Sequence, residues 1–93
     1  MKITFDYDPR KATTNLTKHG VSFEEAVTVF GDPLRSAVPD DQHSLDEERF
    51  LTVGRSTRGR ILFVVYTETD STVRLIGARV ATATEREQYE ESA

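Results

Sequence analysis

The chain has 93 residues, of which 37% are hydrophobic and 30% charged; twelve Lys and Arg stand against sixteen Asp and Glu, for a net charge of −4. It has no Cys, which excludes a disulfide framework and a thiolate metal site, and its two His are too few for an all-imidazole zinc site. The longest apolar run, Ile61 to Val65, is far too short to cross a membrane and MKITFDYD lacks the apolar segment of a secretion signal, so one cytoplasmic domain over residues 1–93 is expected.

Ile3, Thr4 and Phe5 read as a short first strand. Asp8 followed by Pro9 is a helix start, a carboxylate cap before a proline whose fixed φ suits the first turn. The first helix runs to about Lys18, with Gly20 as its stop. Ser22 and Glu25 have the S-x-x-E spacing of a capping box, and Phe23, Ala26, Val27 and Phe30 follow at helical spacing. Gly31-Asp32-Pro33 ends that helix. Leu34 to Val38 is a weak strand, and an acidic loop occupies Pro39 to Glu48. Arg49 to Arg55, Ile61 to Thr67 and Val73 to Arg79 read as strands separated by the turns Ser56 to Arg60 and Glu68 to Ser71. Thr82 and Glu85 form a second capping box that opens a helix to about Glu90. The order is β-α-α-β-β-β-β-α, and short turns between consecutive strands imply antiparallel pairing. The expected class is α+β, a small antiparallel sheet with helices packed on it.

Charge is unevenly distributed. Asp40 to Glu48 holds five acids and no Lys or Arg, and Glu85 to Glu91 holds four acids and one base. Between Arg49 and Arg79 six Arg face only Glu68 and Asp70. The acidic total opposes non-specific nucleic-acid binding, but this Arg-rich segment can form a basic face of phosphate-matching forks.

Lys18 and His19 end the first helix. An imidazole exchanges protons near neutral pH and a lysine holds phosphate; equally, both side chains suit the carbonyl end of a helix. Arg79 shares strand parity with Val73, Leu75 and Gly77, so it is expected on their side of the sheet, bound either to an anion or to a nearby acid. Arg49 follows Glu47 and Glu48 and fits a solvated charged loop as well as a phosphate contact. Arg55, Arg58 and Arg60 surround a hairpin turn, either protecting a sheet edge or contacting phosphates. Arg86 and Tyr89 lie three apart on the last helix, where Tyr89 fits a rim aromatic or a base-stacking platform. His43 reads as an exposed loop residue. A phosphate-cradling glycine loop, a dinucleotide fingerprint, an HExxH motif and a G-x-S-x-G elbow are all absent.

KHGVSFEEAVTVFGDP, from Lys18 to Pro33, resembles the signature of the BrnT family, toxins of bacterial type II toxin–antitoxin systems. FDYDPRK (Phe5 to Lys11), EERFLTVGRS (Glu47 to Ser56) and RLIGARVATATEREQYEE (Arg74 to Glu91) agree in the same order. The resemblance implies a RelE-like fold, RNA cleavage that halts translation and growth, and no cofactor. It implies a BrnA-type ribbon-helix-helix antitoxin as partner, in a two-plus-two assembly that represses its own operon by holding operator DNA. The family's polar positions fall on Lys18, His19, Arg49, Arg79, Glu85, Arg86 and Tyr89. Two departures stand out: Tyr7 where many members have Trp, and Gly77-Ala78-Arg79-Val80 where they have S-A-R-R, so Val80 removes one phosphate contact.

Metal-free RNA cleavage needs a base for the ribose 2′-OH, positive charge on the phosphorane-like transition state and an acid for the departing 5′-oxygen. The expected catalytic set is His19, Arg49, Arg79 and Glu85, with Lys18, Arg58, Arg86 and Tyr89 as RNA contacts and no metal. The alternatives are a toxin-like module that has lost catalysis and serves only operon repression, and a plain adaptor domain.

Overall fold

A computed structural model describes residues 2–41 and 48–92. His43 and most of the acidic stretch after Pro39 lie outside the described residues. Strand β1 (Thr4–Asp6) leads into helix α1 (Pro9–His19) and helix α2 (Phe23–Thr28), which a 3-10 turn extends over Val29–Gly31. Strands β2 (Ser36–Pro39), β3 (Arg49–Arg55), β4 (Ile61–Thr69) and β5 (Thr72–Val80) precede helix α3 (Ala83–Ser92). This is the expected α+β order.

The strands form one five-stranded sheet in the order β1-β5-β4-β3-β2. Antiparallel pairing runs from β2 through β5, while β1 adds a short parallel strand against Thr72, Val73 and Arg74. An Asp6–Arg74 ion pair joins directly opposed residues of that parallel pair. Beyond Arg74 the outer edge of β5 has no strand neighbour among the described residues, and α1 supplies a substitute. The buried Asn15 carboxamide donates to the Ala78 carbonyl at 2.8 Å and the Val21 carbonyl at 2.9 Å, and accepts from the Ala78 amide at 3.1 Å. The two Ala78 groups are thereby satisfied where a strand would otherwise be needed, and the Val21 carbonyl after α1 is satisfied as well.

Local signals set the helix ends. Asp8 Oδ1 accepts from the Arg10 amide at 2.8 Å, and Gly20, at φ +67, closes α1 with its amide on the Leu16 carbonyl at 2.9 Å. Ser22 Oγ accepts from the Glu25 amide at 3.0 Å. The Glu25 carboxylate does not complete that box. It turns inward to Arg60 and Ser56, because a charged guanidinium and a buried hydroxyl satisfy it better than an exposed amide does. At α3 the box is complete: the Glu85 amide donates to Thr82 Oγ1 at 3.2 Å and the Thr82 amide to Glu85 Oε1 at 2.9 Å.

Both early helices cover one face of the sheet. Val21, Phe23, Ala26 and Val29 pack there on Leu62, Val64 and Tyr66 of β4 and Val73, Leu75 and Ala78 of β5. Aromatic contacts extend this core, with Phe30 against Phe5 and Tyr66, and Tyr66 stacked on Phe50. Gly54 is required by close approach: a Cβ there would lie 2.8 Å from Arg35 Cβ and 2.9 Å from Val29 Cγ1.

A β-bulge corrects the expected side of Arg79. Val65 pairs with Gly77 and Tyr66 with Leu75, leaving Ile76 as the extra residue. One inserted residue reverses the alternation. Before the bulge Val73 and Leu75 face the helices; after it Ala78 does. Gly77 and Arg79 therefore lie on the opposite face, where Arg79 stands over Phe63, its cross-strand neighbour.

Candidate active site

The face turned away from α1 and α2 is a shallow floor that α3 roofs at one end. Between α3 and β2–β4 lies a hollow of about 380 Å³ whose floor includes Leu34, Val38, Leu51, Val53 and Phe63. Leu34 and Val38 are half exposed. A second hollow of about 390 Å³ shares Leu51 and Phe63 with the first and continues past Val65 to Ile76 and Gly77, with Asp40 and Arg49 at its rim. The floor is apolar and the charges stand at its margins, which suits a ligand with flat bases and an anionic backbone.

At the α3 margin Arg79 is held on three sides. Its Nη1 and Nη2 donate to Glu85 Oε1 at 2.8 Å and Oε2 at 3.0 Å, and Nη1 also reaches the Val80 carbonyl at 3.3 Å. The Phe63 ring lies 4.0 Å below the guanidinium carbon. An arginine has five N–H donors. With these three engaged, Nε–H and one Nη2–H remain, side by side on one edge of the guanidinium. That edge is a second fork of the shape that matches two phosphate oxygens. The two hydrogen bonds from Arg79 lower the Glu85 pKa, with help from Thr82 and against the opposing effect of burial. Glu85 is thus an engaged, ionised carboxylate that fixes Arg79, not an unoccupied base.

Tyr89 sits one helical turn on from Glu85, buried, and donates its hydroxyl to Asp32 Oδ2 at 2.6 Å. Burial pushes the Asp32 carboxyl up, but the Arg55 amide, the Tyr89 hydroxyl and the Leu34 amide outweigh it, so the pKa is lowered. The same hydrogen bond raises that of Tyr89. The Asp32 anchor joins the turn after α2, strand β3 and helix α3. Sequence reasoning saw only a helix terminator in Gly31-Asp32-Pro33.

Arg49 lies on the same face but not at the same point. It is two strands and four residues from the position opposite Arg79, since Arg79 faces Phe63 and Phe63 faces Val53. That puts their Cα atoms roughly 16 Å apart. Lys18 and His19 are exposed at the end of α1 and open onto a third hollow, of about 460 Å³, beside Ile76 and Gly77.

The Arg cluster around the β3–β4 turn divides. Arg60 is structural: Nε and Nη2 bind Glu25 at 3.0 and 2.6 Å, and Nη2 also reaches the Gly20 carbonyl at 3.1 Å. Arg55 donates to the Gly59 carbonyl at 3.1 Å and lies against Tyr89. Arg58 is exposed at the turn, and Arg86 lines a small hollow with Arg55 and Arg60. Because β3 is interior to the sheet, the turn is not an edge in need of protection. Among the described residues no group of three His, Cys, Asp or Glu could hold a metal ion, and no helix is long and apolar enough to cross a membrane.

Comparisons with known proteins bear on this site. No curated protein matches the chain. A solved structure, the ribonuclease toxin BrnT of Brucella abortus, superposes with a TM-score of 0.67 at 20% identity, covering 87% of this chain and 99% of that one, and at that identity it shows a shared fold. The family described as the ribonuclease toxin BrnT of type II toxin–antitoxin systems matches residues 7–85, which include Arg49, Arg79, Glu85 and the segment carrying Lys18 and His19. The chain belongs to the BrnT family of ribonuclease toxins.

Proposed function

We propose that this chain is a metal-independent endoribonuclease whose cleavage centre lies at the Arg79–Glu85 margin of the open sheet face. The observation that carries the reading is the unoccupied guanidinium edge of Arg79. Glu85 and Phe63 fix the group before substrate arrives, and two N–H donors are left to face a phosphate. Donors already oriented toward developing charge stabilise a transition state without reorganising. Arg79 therefore holds the scissile phosphate as negative charge builds on its oxygens. Arg49, further along the sheet, takes a different phosphate of the same strand. Glu85 acts as the positioning group for Arg79.

Proton transfer falls to His19, the only imidazole among the described residues. Its proton bookkeeping is simple: a base takes the 2′-OH proton as the 2′-oxygen attacks phosphorus, and an acid returns one to the departing 5′-oxygen. Lys18 and Arg58 contribute phosphate contacts, Arg86 extends the basic margin, and Tyr89, which lines the first hollow from α3, holds its roof through Asp32 beside the bound RNA. In the cell a BrnA-type ribbon-helix-helix antitoxin restrains the enzyme in a two-plus-two complex that represses its own operon. Family membership supports the toxin role, and the exposed apolar floor supports a covering partner.

The test is cleavage of an end-labelled RNA by the purified, antitoxin-free chain with EDTA present. The proposal expects fragments from the wild type and loss of about 10²–10³ in rate for Arg79→Ala with its fold retained. His19→Gln is expected to change the pH–rate profile. Equal cleavage by wild type and Arg79→Ala would remove Arg79 from the mechanism, and no cleavage by either would favour a non-catalytic partner in repression. Growth arrest on expression, relieved by the cognate antitoxin, tests the cellular half.

A further inference from the structure

The hollow beside α1 and the hollow on the open face meet at one place, the bulge of β5. Both are bounded there by Ile76 and Gly77. On the α1 side Arg10, Lys11, Lys18 and His19 surround the hollow, and no carboxylate lines it. Arg10 and Lys18 are eight residues apart on one helix, a span of roughly 12 Å. From Gly77 to Arg79 along β5 is about 7 Å more. A basic helix face and the Arg79 fork thus lie on either side of the bulge, which is the saddle between them.

The saddle is low because residue 77 has no side chain. A Cβ there would meet nothing closer than Asn15 Oδ1, at 3.8 Å, so the fold leaves that space open and does not need it open. Gly77 is also not at a positive φ, so backbone geometry does not demand glycine either. What the missing side chain does is leave a pass between two hollows.

We propose that Gly77 is the pass through which a single-stranded RNA runs from the basic face of α1 into the Arg79 margin, so that Arg10, Lys11 and Lys18 bind nucleotides flanking the cleaved bond. This rests on the ribonuclease reading above and adds the course of the strand. RNA is the occupant because the path combines cations without acids at one end with an apolar floor for bases at the other.

The experiment uses fluorescein-labelled 2′-O-methyl oligouridylates of three and nine nucleotides, whose blocked 2′-oxygen prevents cleavage, with fluorescence anisotropy as readout. The wild type is expected to bind the nonamer about tenfold or more tighter than the trimer. Gly77→Val places a β-favouring side chain in space the fold does not use, so it should melt as the wild type does while losing the nonamer's advantage. Lys18→Ala should reduce the slope of log affinity against log salt for the nonamer by about 0.7, one phosphate contact on a single strand, and leave the trimer unchanged. Nonamer binding unchanged in both folded variants would overturn the path, and so would a wild type that binds both lengths alike. A length-dependent affinity lost in Gly77→Val, from a wild type that cleaves no RNA, would support the path while contradicting the catalytic reading. Cleavage lost in Arg79→Ala alone, with Gly77→Val indistinguishable from wild type in cleavage and binding, would do the reverse.

Discussion

Arg60 and Arg79 each grip a glutamate with two guanidinium nitrogens, yet they do so by different edges and at different depths. Arg60 uses Nε and Nη2, spends its other Nη2 hydrogen on the Gly20 carbonyl, and holds a Glu25 side chain that is only 3% exposed. Arg79 uses Nη1 and Nη2, keeps its Nε edge clear, and holds a Glu85 side chain that is 23% exposed beside the open floor. The first pair ties α1, α2 and the β3–β4 turn together. The second lies on the open face of the sheet, with the Arg79 side chain 36% exposed. The function of an Arg–Glu pair is therefore read from which donors it leaves over and what they face, not from its presence.

The sharpest way to break this contrast is to remove each arginine in turn. For Arg79→Ala the cleavage rate should fall by about 10²–10³, while the melting temperature moves little because Glu85 keeps its cap on Thr82. Arg60→Ala leaves the Glu25 carboxylate buried with Ser56 as its remaining side-chain partner. Breaking a fully buried pair costs about 3–5 kcal/mol; with the Arg60 side chain 37% exposed, a loss of about 2–3 kcal/mol is expected in urea unfolding.

Acid should separate the pairs next. Hydrogen bonds from Arg60 lower the Glu25 pKa more than burial raises it, and Ser56 adds to the lowering. A carboxyl whose folded pKa lies below its unfolded one stabilises the protein above the ordinary value of 4.5 and loses that contribution as pH falls through the lower, folded value. The urea midpoint should thus drop below about pH 4.5 in the wild type. It should drop less steeply in Arg60→Ala, where the main cause of the shift is gone. A smaller effect, about 1–2 kcal/mol, is expected for Tyr89→Phe, which removes one hydrogen bond to an ionised acceptor and loosens the roof over the floor.

Much of this frame was legible in the residues. Asp8-Pro9, Gly20 and the Thr82/Glu85 spacing name their own caps, since capping depends on neighbours within one turn. The antiparallel order of β2 to β5 followed from apolar runs between turns, whereas an all-antiparallel sheet was expected and β1 pairs parallel with β5. Three things were hidden because they depend on partners far along the chain. The bulge at Ile76 exists only in the register of β5 against β4, so strand parity alone put Arg79 on the wrong face. Glu25 fits a capping box by spacing, and nothing local says that Arg60, 35 residues on, outcompetes the helix amide. Nothing local marks Asn15, whose partners are two backbone groups of Ala78 on the uncovered edge of β5 and the Val21 carbonyl. At the site, the candidate positions came from resemblance to the BrnT family, while the clear edge of Arg79 and the pass at Gly77 needed coordinates.

The most direct test measures RNA cleavage and melting temperature together on Arg79→Ala and Arg60→Ala. The account predicts that Arg79→Ala loses cleavage and keeps its melting temperature, whereas Arg60→Ala loses roughly 10–20 °C of melting temperature and still cleaves RNA below its transition. If Arg79→Ala cleaves like the wild type, or if Arg60→Ala loses cleavage with its melting temperature intact, the assignment of one pair to catalysis and the other to the fold is wrong.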